Sequence, residues 1–117
     1  MVLALGVAVA VALSPARAAN DAGKDLFERR CSGCHATEHD KEGPKLKSVY
    51  GRRSGSVPSF RYSDALKNAG ITWDADSLDR WLTDPEEFVP GNDMAFQVVS
   101  PEERKEIIRY LEQLSGN

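Results

Sequence analysis

The sequence predicts an all-α domain, and three observations carry that expectation. Helix-start and helix-stop signals recur along the chain. No stretch alternates apolar and polar residues as a half-buried strand does. The longest irregular stretch is broken by Gly, Ser and Pro rather than organised as hairpins. No internal repeat, low-complexity segment or inter-domain linker interrupts the 117 residues, which fits one compact unit.

The elements follow in order. Val2 to Leu13 is an unbroken run of Val, Leu, Ala and Gly, shorter than the roughly 20 apolar residues a membrane span needs. It reads as the apolar region of a signal peptide. Ala16-Arg17-Ala18 offers small residues at the two positions a signal peptidase reads, just after Pro15. Cleavage after Ala18 divides the chain into a signal peptide, 1–18, and a folded domain, 19–117. No Lys or Arg precedes the apolar run, so either the true start lies upstream or the signal is atypical. An uncleaved N-terminal helix acting as an anchor is the alternative.

Asn20 or Asp21 can cap a first helix ending near Arg30, with Leu26 and Phe27 on its buried side. Gly43-Pro44 and the stretch from Gly51 to Pro58 mark a long loop that needs something to pack against. Ser63 caps a short helix that ends before Gly70. Thr72 or Asp74 starts another, which carries Leu78, Trp81 and Leu82 and stops before Pro85. The last helix has the clearest signals: Ser100 as N-cap, Pro101 at the first position, Glu103 closing a capping box and Gly116 beyond the end. Ile107, Ile108, Leu111 and Leu114 form its apolar stripe.

Composition sharpens what such a domain lacks. Of the 48 hydrophobic residues, 14 fall in positions 1–18, so residues 19–117 hold only 34. Counting Gly and omitting Tyr, their apolar share is about 39%, below the roughly 45–50% usual for a globular domain. The polypeptide alone has a thin core, and a large apolar cofactor would supply the missing buried surface. Without such a cofactor the chain is therefore expected to be largely unfolded. Charge is uneven as well. Lys24 to Lys67 holds ten basic and six acidic residues, whereas Asp74 to Glu103 holds nine acidic residues and only Arg80 as a base. That acidic half, with no basic cluster among exposed aromatics, excludes nucleic-acid binding and favours electrostatic steering of a protein partner.

Cys31-Ser32-Gly33-Cys34-His35 is the attachment signature of covalent c-type haem. Two thiols three positions apart can add to the two vinyl groups on one haem edge, and the adjacent imidazole is placed to ligate the iron. Zinc would need four ligands, and only His39 is at hand to extend the cluster. A thioredoxin-like dithiol expects strands alternating with helices. A structural disulfide across so short a loop stabilises little. Haem attachment is the reading retained.

The sixth iron ligand separates electron carriage from ligand chemistry. Residues 19–117 contain one Met, Met94, in the loop Pro90-Gly91-Asn92-Asp93-Met94-Ala95-Phe96. A lone Met is more often core filler, but a haem signature upstream needs a soft ligand and no other Met is available. His39 competes, yet it stands only four residues from His35 and would struggle to reach the opposite haem face. It reads as a surface histidine.

At this point the chain resembles the class I cytochrome c family, in its bacterial periplasmic and mitochondrial-like branch. The resemblance spans nearly all of 19–117. It rests on Gly23 and Phe27, the Cys31–His35 signature, Gly43-Pro44-Lys45-Leu46, Tyr50-Gly51-Arg52, Phe60-Arg61-Tyr62-Ser63, Gly70-Ile71-Thr72-Trp73, Pro90 to Phe96, and a closing helix with Tyr110 and Leu111. It implies the cytochrome c fold, with first and last helices crossing near Gly23 and Tyr110 and short helices and loops wrapped around one covalent haem. It also implies residue roles. The Pro44 carbonyl would accept a hydrogen bond from the far nitrogen of His35, and Leu46 would pack on the ring. Arg52, Tyr62 and Trp73 would bind the propionates, and Phe96 would shield the haem edge. Trp81 stands where many relatives have a Tyr near the Met sulfur, and Leu66 where many have an Asn near a propionate. Glu86, Glu87 and Asp93 replace the lysines that mitochondrial relatives carry near the haem edge, so a partner with an acidic docking site would be repelled. The loop from His35 to Gly43 is also shorter than in the mitochondrial forms.

The expected function is that of a soluble, monomeric, periplasmic electron carrier rather than an enzyme. It would have His35 and Met94 as axial ligands and transient redox protein partners docking at the haem edge. The alternatives are a haem subunit dedicated to one dehydrogenase or oxidase, and a peroxidase or gas-binding haem protein with a labile sixth ligand.

Overall fold

The computed structural model describes residues 2–12 and 14–116, and for residues 16–20 the backbone alone. The cleavage expectation at Ala16-Arg17-Ala18 and any capping by Asn20 therefore concern side chains outside the described residues. Among the described residues there are five helices and no strand, only an isolated antiparallel bridge between Arg53 and Thr72. The all-α expectation holds.

Helix α1 spans Pro15–Arg30. It begins upstream of the cap expected at Asn20 or Asp21, because Pro is pre-organised for the first helical position and the alanines that follow have high helix propensity. Helix α2 spans Asp64–Lys67, with Ser63 accepting from the Leu66 amide as its N-cap. Helix α3 spans Ala75–Thr83 and is closed by a capping box between Asp74 and Ser77. The stop before Pro85 holds, and a further short helix not expected from the sequence, α4, follows at Pro85–Phe88. Asp84 caps it by accepting from the Glu87 amide and Pro85 occupies its first turn, so an Asp-Pro start signal was present in the sequence.

Helix α5 spans Pro101–Ser115 with Ser100 as N-cap, accepting from the Glu103 amide. The reciprocal half of the expected capping box is replaced. The Glu103 carboxylate turns to α1 and accepts two hydrogen bonds from Arg30, at 3.2 and 3.0 Å. An interhelical charge-assisted pair wins over a local bond to the backbone.

Helices α1 and α5 pack closely, and Gly23 is what permits it. A Cβ at Gly23 would sit 2.5 Å from the Glu106 carbonyl oxygen and 2.9 Å from the Tyr110 Cβ. Phe27 and Tyr110 meet beside that crossing as a tilted ring pair, with centroids 5.4 Å apart and planes at 58°. The core then joins Leu26 and Phe27 of α1, Leu78, Trp81 and Leu82 of α3, and Ile107, Ile108 and Leu111 of α5, together with Val49, Trp73, Val89 and Val98. Ile107, at the centre of the predicted stripe, is fully buried. Among the described residues no helix is long and apolar enough to cross a membrane.

Candidate haem site

The signature sits where α1 ends. The Cys31 amide donates to the Phe27 carbonyl and the His35 amide to the Cys31 carbonyl, so the helical turn is carried just far enough to place Cys31, Cys34 and His35 on one short arc. Both thiols are free. Burial pushes the Cys31 thiol up to about 11, and a hydrogen bond to Glu42 raises Cys34. Disulfide oxidoreductases require the opposite, a lowered thiol.

Residues 43–47 run alongside the end of this arc and the residues just after it, in the same chain direction. The Gly43 amide donates to Cys34, Leu46 to Ala36 and Lys47 to Thr37. That lacing brings the Pro44 carbonyl oxygen 2.8 Å from His35 Nδ1. Nδ1–H donates, so Nε2 keeps its lone pair for a metal. Burial, the largest influence, also lowers the His35 pKa and favours the neutral imidazole that ligation requires. Gly43 makes room: a Cβ there would lie 2.7 Å from each His35 ring nitrogen.

Arg52 and Trp73 meet through the backbone. The Gly51 amide donates to the Trp73 carbonyl and the Trp73 amide to the Arg52 carbonyl, continuing into the Arg53–Thr72 bridge. Arg52 Nη1 and Nη2 each donate to the Lys45 carbonyl at 3.1 Å, yet its Nε is buried with no partner. An orphaned cationic N–H is costly, and a propionate oxygen is the group that would satisfy it. Tyr62 lies near enough to act electrostatically on Arg52. Its hydroxyl accepts from the Val57 amide at 3.2 Å and so keeps its own proton to donate. Leu46 is half-buried against the core, and Trp81 is buried edge-on to Trp73 with centroids 5.4 Å apart.

Met94 lies on the strap between α4 and α5. Gly91, at φ +87°, turns the chain. Asn92 then shapes the approach, its Nδ2 donating to the Val89 carbonyl and its Oδ1 accepting from the Met94 amide at 2.7 Å. Met94 and the exposed Phe96 line a cleft of about 570 Å³, and His35 and the exposed His39 border another of about 370 Å³. The donor set fits a c-type haem: two free thiols, a neutral imidazole with Nε2 available, a thioether, and an unsatisfied guanidinium N–H.

The cytochrome c family model matches residues 20–115. The chain belongs to the cytochrome c family. It is 44% identical over 95 residues to a cytochrome c of Euglena viridis, covering 79% of this chain and 93% of that protein. It is 40% identical to cytochrome c2 iso-2 of Magnetospirillum molischianum, covering 72% and 90% respectively. Cytochrome cH from Methylobacterium extorquens superposes with a TM-score of 0.76 at 40% identity, covering 80% of this chain and 97% of that one. As a cytochrome c, the chain binds one covalent c-type haem through Cys31 and Cys34 and is a haem electron carrier that works with redox partners.

Two residues beside the candidate ligands, and one buried arginine elsewhere in the fold, have no assigned role in the sequence. Gly43 and Asn92 were visible only as loop formers. Arg104 stands at i−3, i−4 and i−7 to Ile107, Ile108 and Leu111, and an arginine on an apolar stripe is the signal that could have found it.

Proposed function

We propose that this cytochrome is a monomeric periplasmic shuttle, exported by the segment 1–18, with His35 and Met94 as axial ligands and no enzymatic turnover of its own. The observation that carries the ligand reading is the Nδ1 hydrogen bond of His35 to Pro44, which leaves Nε2 as the metal-facing nitrogen. Bound at this site, the haem supplies a one-electron ferrous–ferric couple. The protein's own residues do the rest. Cys31 and Cys34 anchor the macrocycle, and Pro44 orients His35 and raises its basicity. Arg52 would offset the propionate charge, with Tyr62 and Trp73 as further hydrogen-bond donors, while Leu46, Trp81 and Phe96 would exclude water around the ring.

The partner is read from charge. Glu86, Glu87 and Asp93 are exposed beside the Met94 strap, so a donor or acceptor with a basic docking face would be steered toward this edge. Two measurements test the proposal. Redox titration followed by absorption should show one reversible one-electron couple and, in the ferric protein, a thioether-to-iron band that Met94→Ala abolishes. Rapid carbon monoxide binding by the unsubstituted ferrous protein would instead establish a gas-binding or peroxidase role.

A further inference from the structure

Arg104 is a charged side chain where the helix pattern calls for an aliphatic one, and the residue is only 9% exposed. Burying a guanidinium is costly unless its donors are met. Here Nε and Nη1 are met from two other segments. Nε donates to Asp79 Oδ1 of α3 at 2.8 Å, and Nη1 donates to the carbonyls of Val98 and Val99 at 2.9 and 3.0 Å. The Val98 amide in turn donates to the Leu82 carbonyl of α3 at 2.8 Å, and Val98 is 1% exposed. Val98 is thus held on both its polar sides, by α3 through its N–H and by α5 through its C=O.

That fixed point matters because of what precedes it. Asn92 holds the near end of the strap at the Met94 amide, and Ala95, Phe96 and Gln97 are exposed. Val98 is therefore the anchor on the far side of Met94, separated from it by only those three residues. An apolar residue at position 104 would satisfy the α5 stripe but would leave the Val98 and Val99 carbonyls and Asp79 without their donor, so the arginine also contributes to fold stability. What a planar fork adds is geometry: one rigid group spans a carboxylate on α3 and two consecutive carbonyls on the strap.

We infer that Arg104, with Asp79, is a positioning residue for Met94, a latch that fixes the strap so that the thioether stays directed at the iron. The inference rests on the assignment of Met94 as sixth ligand. It predicts that loosening the latch raises the open, Met-off fraction without unfolding the protein.

The test compares holoprotein variants Arg104→Leu, Arg104→Lys and Asp79→Asn, with Met94→Ala as the ligand control. Arg109→Gln serves as a charge control on the exposed side of α5. Three readouts are taken: the thioether-to-iron band of the ferric protein, the rate of carbon monoxide binding to the ferrous protein, and amide hydrogen exchange at Val98. Arg104→Leu should weaken the band, speed carbon monoxide binding by about tenfold, the factor that 1.4 kcal/mol produces, and deprotect Val98. Arg104→Lys should restore part of each signal, since a point charge cannot reach all three acceptors, and Arg109→Gln should change none. Asp79→Asn keeps an acceptor and removes only the charge, so it should shift the signals in the same direction even if Arg104→Leu fails to retain haem. Unchanged band, carbon monoxide rate and Val98 exchange in folded Arg104→Leu and Asp79→Asn would overturn the latch. Survival of the band in Met94→Ala would overturn the ligand assignment itself, and the latch with it.

Discussion

His35 Nδ1 lies 2.8 Å from the carbonyl oxygen of Pro44, and the intervening loop is folded back by three backbone hydrogen bonds to make that contact. Gly43 stands against the same imidazole ring. Gly43→Ala should therefore rotate or displace the imidazole, since the obstacle is a packed ring held at Nδ1 rather than a flexible side-chain end. Such overpacking typically costs about 1–3 kcal/mol. Holoprotein melting should register the loss, and the ferrous and ferric absorption bands should show altered axial ligation.

Arg52 Nε is the unsatisfied donor of the site. Replacing Arg52 by Gln removes the proposed charge-assisted contact to the propionate and should cost about 1.5–3 kcal/mol of holoprotein stability. Arg52→Lys should rescue little, because the lysine ammonium cannot hold the Lys45 carbonyl and a propionate with one planar group. Denaturant unfolding of the three holoproteins checks this, and equal midpoints would remove Arg52 from the propionate site.

The α1–α5 crossing leaves no space at Gly23, where an added Cβ meets the Glu106 backbone. Gly23→Ala gains helix propensity but forces the helices apart, so the net effect should be destabilising. A fall in melting temperature of the holoprotein is the expected result, and a rise would show that the crossing can widen without cost.

Asp74 caps α3, and hydrogen bonds from the Ser77 backbone and hydroxyl hold its carboxyl below the ordinary value of 3.8. A group depressed in the folded state contributes stability above its unfolded pKa and loses it as pH falls through the folded value. Asp74→Ala should thus melt lower than the unsubstituted protein at neutral pH, with the gap closing in acid below the ordinary carboxylate range. A gap independent of pH would show that the charge plays no part.

Haem removal is the broadest test. The apolar content of residues 19–117 is low, and the buried Arg52 Nε has no partner within the polypeptide. The apoprotein should lack a cooperative thermal transition and most of its helical circular dichroism, both returning only with covalent haem. A cooperative apoprotein melt would show that the polypeptide core suffices.

Local features are legible in the linear chain. The spacing of Cys31, Cys34 and His35, the caps at Ser63, Asp74 and Ser100, and the stripe of Ile107, Ile108 and Leu111 all depend on neighbours within a turn or two, so a linear reading reaches them. Met94 could be nominated because it is the one methionine in residues 19–117. What only the tertiary structure decided is long-range. Glu103 leaves its own N-cap for Arg30, Gly43 yields its Cβ space to His35, and Arg104 abandons the pattern of its helix to bind Asp79 and the strap beyond Met94. Each of these choices is settled by a partner tens of residues away or across a loop, through burial and hydrogen-bond geometry that have no period in the sequence. The chain thus announces where haem attaches, and the fold decides how firmly each proposed ligand side chain is held.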